Sequence, residues 1–199
     1  MKMIFLVISA LASIVLISCN SNGSGNNNSA DSVDSKKIAV DLNKEKFDSS
    51  NIKVDTKFAV TAADGGMLEV QCGTLALAKG NLPEVKNLGQ MMVNGHSKAN
   101  EELKALATSK NISIPAVLGT DNQSKLDKLA SKAGKDFDKA YTELMVSDHK
   151  EDIDAFKKEI NDGKDTALKS WAAGKISMLE HHLQMSQSTE TLVKNKKEK

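Results

Sequence analysis

Arginine does not occur anywhere in this chain of 199 residues. Arg is the side chain best suited to a two-pronged grip on phosphate and to reading guanine, so its absence argues against nucleic acid as a partner. Net charge agrees: 27 basic residues, all lysine, face 26 acidic ones. Aromatic residues make up only 4 %, with one Trp and one Tyr, a composition better matched to packed helices than to a β-sandwich. There are two cysteines, Cys19 and Cys72. If Cys19 carries a lipid, as argued below, no internal disulfide can form, even in an exported protein. Gly-x-Ser-x-Gly, a phosphate-binding glycine loop and Cys-x-x-Cys are all missing. So is Glu-x-x-His, two copies of which serve the di-iron bundle enzymes. Val93, Val146, Met178 and Leu179 stand three residues before His96, His149, His181 and His182. These absences nominate no catalytic residue and favour a binding or structural protein over an enzyme.

The chain opens with Met1-Lys2-Met3 and an apolar run from Ile4 to Ile17. At about 14 residues this run is short for a bilayer-spanning helix, which needs about 20, and it fits the core of a secretion leader. It ends in Leu16-Ile17-Ser18-Cys19, which resembles the lipobox of bacterial lipoproteins. The expectation is a signal peptide over residues 1–18 and a lipidated Cys19 as the mature N-terminus. A diacylglyceryl thioether with an N-linked palmitate-type chain would meet the requirement for more than one anchoring chain. Asn20, rather than Asp, follows the Cys, which points to the outer membrane. Without Lys2 the mature chain has as many basic as acidic residues. Residues 20–35, rich in Asn, Ser and Gly, cannot bury enough surface to order themselves and span about 20–24 Å as a coil. Residues 36–54 read as a Lys-rich extension, giving a tether over 19–54.

From residue 55 helical periodicity dominates. A first segment, 55–79, carries Phe58, Ala62, Gly65, Glu69, Cys72 and Ala76 at intervals of three and four. Gly80-Asn81-Leu82-Pro83 breaks it, with Pro83 placed for the first turn of the next helix. That helix, 83–109, has the stripe Val85, Leu88, Met92, His96, Ala99, Leu103 and Leu106. After an extended link over 111–119 come a short helix at 121–132 and a long one at 135–161, the latter with Phe137, Tyr141, Met145, His149, Ile153 and Phe156 in its stripe. Asp162-Gly163 ends it. The last helix, 164–193, uses Leu168, Ala172, Ile176, Leu179, His182 and Ser186, and a basic tail follows over 194–199. No strand pattern competes. Short turns at 80–83 and 162–164 predict an all-α, up-down four-helix bundle over 55–193, with an extra short helix between its second and third helices.

Each long helix places one hydrophilic residue within its apolar stripe: Glu69, His96, His149 and His182. At 1.5 Å per residue, their distances from the two turns put them within a few ångströms of one level. A Met lies four residues before each His: Met92, Met145 and Met178. The block Met92-Val93-x-x-His96 recurs as Met145-Val146-x-x-His149, suggesting that the hairpins are internally related. One reading is a metal site. Imidazole suits zinc, copper, iron and nickel, and Glu69 with His96, His149 and His182 could close a tetrahedron around zinc or hold copper(II); thioether or thiolate sulfur from Met92, Met145, Met178 or Cys72 would be a soft supplementary ligand. The other is a hydrogen-bonded network of Glu69 with the histidines, Met serving as core filler. Such a network would serve stability or pH sensing.

Taken together, Phe58…Ala62-Ala63-Asp64-Gly65-Gly66-Met67-Leu68-Glu69-Val70, the Met-Val-x-x-His blocks, Phe137-Asp138-x-x-Tyr141 and Leu179-x-x-His182-Leu183 resemble the bacterial "domain of unknown function 4142" over about residues 55–190. The resemblance implies a ferritin-like fold and a secreted or membrane-anchored location. Glu69, His96, His149 and His182 match the family's recurrent polar positions. Three residues depart from its pattern: Gly95 stands where an acidic residue usually precedes the first His, Cys72 replaces an apolar residue, and His181 sits where a Glu-like residue is common. The resemblance implies no activity, because a fold does not specify one.

Overall fold

A computed structural model describes the chain over residues 34–48 and 51–196. The expected leader, the lipidated Cys19 and the Asn/Ser/Gly stretch up to residue 33 lie outside the described residues, as do the last three of the tail. Among the described residues there are six helices and no strand: α1 (Ser35–Phe47), α2 (Lys53–Lys79), α3 (Pro83–Ser109), α4 (Thr120–Ala130), α5 (Gly134–Asp162) and α6 (Thr166–Asn195). None is long and apolar enough to cross a membrane. Helices α2 to α6 follow the predicted segments to within two residues, because periodic apolar stripes and strong punctuation mark them. Pro83 occupies the first turn of α3, and Asp165 caps α6 by accepting from the backbone N–H groups of Ala167 and Leu168 at 3.0 and 2.9 Å.

Within the stretch 36–54, expected as tether, residues 36–47 belong to α1 and 53–54 begin α2. Asp34 starts α1 by accepting from the backbone N–H groups of Lys36 and Lys37. The buried face of α1 holds Ala39 and Asn43, while Ile38, Val40 and Leu42 are exposed. Phe47 packs against the Ala59, Leu103 and Ile112 cluster, and Asn43 adds a polar tie: its amide nitrogen donates to the Ser113 carbonyl and its oxygen accepts from the Ser113 N–H, both at 2.7 Å. Lys46 adds bonds to the Asn111 carbonyl and the Ser113 hydroxyl. Helix α1 therefore straps the 111–119 link against α2, with which it also packs.

The long helices form two hairpins, α2 with α3 and α5 with α6. Helix α2 also packs on α5, and α3 on α6. At Gly73 and Gly89 the α2 and α3 backbones nearly touch. A Cβ on either would lie 2.7 Å from the other's carbonyl oxygen, so only glycine allows this approach. Two buried aspartates hold the turns, each reaching from the opposite hairpin. Asp138 of α5 accepts from the N–H groups of Asn81 and Leu82 in the α2–α3 turn at 2.8 and 3.0 Å. Asp55 of α2 accepts from Lys164 N–H at 2.8 Å and Asp165 N–H at 2.6 Å in the α5–α6 turn. A third, Asp64 of α2, holds Gly119 N–H and the Asn122 amide ahead of and within α4. The two locks are equivalent: α2 and α5 each supply the aspartate that holds the other hairpin's turn.

Apolar residues gather on both sides of the mid-level. Towards the α2–α3 turn, Leu68, Cys72, Val85, Leu88, Met92, Phe137, Tyr141 and Met145 form one cluster. Beyond the mid-level lie Ala59, Ala63, Leu103 and Leu168, with Phe58, Ile153, Phe156 and Leu179 beside them. Between these clusters each long helix presents a buried polar residue. Burial of apolar surface on both sides, at about 25 cal/mol per Å², sets the levels of the helices and hence of that polar layer.

Candidate metal centre

Glu69 of α2, His96 of α3, His149 of α5 and His182 of α6 are 1, 3, 0 and 3 % exposed. All four sequence-nominated polar residues come together, but in two roles. Three ring nitrogens converge: Nε2 of His96 lies 3.3 Å from Nε2 of His149 and 3.1 Å from Nδ1 of His182, and the last two are 3.4 Å apart. Glu69 lies behind two of the rings, facing the other nitrogens of His96 and His149. Its Oε2 is 2.7 Å from Nδ1 of His96 and its Oε1 3.3 Å from Nδ1 of His149. Of the four, three imidazole nitrogens share one point, and the Glu69 carboxylate stands outside it beside His96 and His149.

The hydrogens follow from the outer partners. Nδ1 of His149 is 2.9 Å from the carbonyl oxygen of Met145. A carbonyl only accepts, so that nitrogen carries the hydrogen and Nε2 of the neutral ring is bare. The Glu69 oxygen beside Nδ1 of His96 favours a hydrogen there too, baring its Nε2. Burial keeps the rings neutral, lowering His96 to about 4 and His149 and His182 to about 3. Neighbouring rings add to the effect at His149 and His182. Neutral His182 can supply at most one hydrogen to the space among three nitrogens, two of which present lone pairs. An imidazole whose other nitrogen is held by a carboxylate or backbone carbonyl is the usual arrangement of a histidine ligand. Burial, reinforced by the Asp148 charge, raises the Glu69 carboxyl well above its usual range; a hydrogen bond from Asp152 opposes it. Asp152 is itself raised well above the usual carboxylate range, by burial and then by Glu69.

The sulfur candidates sit around the centre. Met92, Met145 and Cys72 are fully buried in the apolar cluster towards the α2–α3 turn. Burial, then the charges of Asp148 and Glu69, pushes the Cys72 thiol up to about 12, so it is held as a thiol, the poorer ligand form. Met178 packs with Phe58 and Leu179 on the other side. Its Sδ would lie 3.4 Å from a Cβ at residue 95. Gly95, which departs from the acidic residue of the resemblance, has a local reason: the His182 ring occupies the space of its missing side chain. A Cβ there would lie 2.5 Å from Cε1 and 2.9 Å from Nε2 of His182. His181, one residue on, is exposed. The residues that periodicity missed are Asp148 and Asp152, acids on the polar-looking flank of the α5 stripe.

The family model described as "Domain of unknown function (DUF4142)" matches residues 43–189. The chain belongs to that family. The match begins inside α1 and ends in α6, so all three converging histidines and Glu69 lie within the DUF4142 domain. No curated protein and no solved structure matches the chain.

Proposed function

We propose that this DUF4142 domain binds one transition-metal ion, zinc or copper, through Nε2 of His96, Nε2 of His149 and Nδ1 of His182. The observation that carries the reading is the triangle of ring nitrogens, with edges of 3.1, 3.3 and 3.4 Å. Such a triangle has a point about 1.9 Å from every corner. An ion at the usual Zn–N distance of about 2.0–2.1 Å would sit about 0.8 Å to one side of its plane. A tetrahedral zinc spaces its nitrogens about 3.3–3.4 Å apart, so little rearrangement is required. Three protein nitrogens leave a fourth position for water or a small ligand. Nitrogen-only donors also suit copper. In this reading the domain is a ferritin-like four-helix bundle with the ion at mid-level, and it would be tethered to the bacterial envelope, at the outer membrane, through a lipid on Cys19.

The pH-sensing alternative has weaker support. A sensor for pH 5–7 needs imidazoles that charge in that range, and burial moves all three far below it. The test is elemental analysis of protein exposed to zinc or copper and then desalted. One equivalent per chain is expected, falling to background in His96→Ala and His149→Ala. Ion at 100 times its Kd should add about 2.7 kcal/mol to the stability of the parent and nothing to the variants. Desalted parent protein without stoichiometric metal would overturn the reading. The anchor is tested separately, by radiolabelled palmitate incorporation that Cys19→Ala abolishes.

A further inference from the structure

We propose that the apolar groove between α2 and α5 binds a medium-chain free fatty acid, with its alkyl chain over Val54, Phe58 and Ala155 and its carboxylate among Lys53, Lys57 and Lys158. The groove has a volume of about 490 Å³, within the range of about 300–1,000 Å³ usual for small-molecule sites. From Lys53 to Thr61 it runs about 12 Å along α2. Two long helices make its walls, so it suits a linear molecule. Its floor is firm: the buried Phe58 ring meets Phe156 edge-on at 4.9 Å and lies 6.1 Å from Trp171. Val54, by contrast, is 37 % exposed, and covering such apolar surface is what would draw an alkyl chain into the groove.

Charge decides what the head of that molecule must be. Three ammonium groups line the groove, Lys53 and Lys57 from α2 and Lys158 from α5, against one carboxyl, Glu159. Burial, then the neighbouring Asp55, raises Glu159 to about 8, so it is mostly neutral at pH 7. Lys57 has no ion pair or hydrogen bond among the described residues. Lys53 pairs with Asp48 and Lys158 with Asp162, every one of these side chains more than half exposed. Surface pairs of this kind hold little energy and yield their lysines to a better-placed carboxylate. The first turn of α2 lies at the same end, and Ile52 supplies no capping side chain, so the helix dipole adds positive potential there. A second recess, about 270 Å³, opens between α1 and α2, shares Lys53 and Lys57, and adds Val40 and Lys44. In the other direction Thr61 and Ala155 also line the cavity that holds Asp148 and Asp152. Those acids repel a carboxylate, which fixes the head at the lysine end. The groove shares no residue with the imidazole triad and does not depend on a metal.

Trp171, the one tryptophan of the chain, packs beside Phe58 and gives a local readout. The full chain is titrated with ω-bromoundecanoate, whose bromine quenches indole fluorescence at short range, and undecanoate is then added as competitor. Saturable quenching at one site per chain is expected, reversed by undecanoate. Lys57→Glu combined with Lys158→Glu should weaken binding at least tenfold, and Val54→Asp by a similar factor, with helicity retained because all three side chains are exposed. Undecylamine should compete at least tenfold less well than undecanoate, a comparison that stands even if a variant fails to fold. The proposal is overturned if the parent shows no saturable quenching at millimolar acid, or if the double lysine variant is quenched as readily as the parent. It is equally overturned if the amine competes as well as the acid. Quenching that appears only when the acid is carried in anionic phospholipid vesicles would also overturn it, and would make this face a membrane-docking surface.

Discussion

Replacing Gly95 with alanine separates metal binding from folding, because the one methyl group acts on them in opposite directions. Its carbon would lie 2.5 Å from Cε1 of His182, whereas non-bonded carbons settle at about 3.5 Å or more. The ring must retreat by about 1 Å. Metal–nitrogen bonds tolerate about 0.2 Å, so Nδ1 of His182 leaves the triangle and two imidazoles remain. Loss of a merely supporting partner already costs 10–100-fold in metal affinity. Loss of a ligand should cost at least about 100-fold, or about 2.8 kcal/mol. The backbone pulls the other way: alanine inside a helix is about 0.5–1 kcal/mol better than glycine. Helicity should therefore survive in Gly95→Ala while the zinc-induced rise in melting temperature collapses. Competition for zinc against a chromophoric chelator measures the first quantity, and circular-dichroism melts with and without zinc measure the second. If Gly95→Ala binds zinc within threefold of the parent, His182 is not a ligand and the triangle is a packing arrangement.

Three other outcomes follow from buried groups elsewhere. Burial, then the neighbouring Asp55, raises the Glu159 carboxyl to about 8. A raised carboxyl stabilises the fold fully below its unfolded value near 4.5 and loses that stability as pH climbs towards 8, a loss of about 3 kcal/mol by pH 7. Glu159→Gln, neutral at every pH, should gain about 2–3 kcal/mol in urea melts at pH 7 and almost nothing at pH 4.5; an equal gain at both would refute the assignment. Asp138→Ala strands the N–H groups of Asn81 and Leu82 and should cost about 2–4 kcal/mol, whereas a change under 0.5 would show that water replaces the carboxylate. Cys72, wholly buried with its thiol near 12, should react with iodoacetamide at pH 8 about a thousandfold more slowly than after unfolding, and labelling within minutes in buffer would contradict that.

How legible all this was in the sequence depended on whether a residue is held by apolar contact or by hydrogen bonds. Helices α2 to α6 advertise themselves through stripes such as Val85, Leu88, Met92 and Leu103, since burial of apolar surface writes a period into the chain. Helix α1 does not. Its apolar residues Ile38, Val40 and Leu42 fall at period two and are exposed, while its hold on the 111–119 link is the amide of Asn43. The centre was legible as four polar intruders in apolar stripes, but not the division of labour among them, because a stripe gives the face and level of a residue and not which ring nitrogen points inward. Asp152 left a fainter trace: Asp55 precedes Glu69 by the same 14 residues that separate Asp138 from Asp152. That repeat marks α2 and α5 as counterparts, and reading it needed the knowledge that Asp55 and Asp138 do the same work.

The crossed turn locks carry a consequence for how the domain assembles. Asp55 sits in the first hairpin and closes the turn of the second; Asp138 sits in the second and closes the turn of the first. A chain severed within the 111–119 link would yield two halves, each missing the acceptor for its own reversal and holding the one its neighbour requires. Neither half is then a self-sufficient cooperative unit, and each should be largely molten alone and recover helicity on mixing.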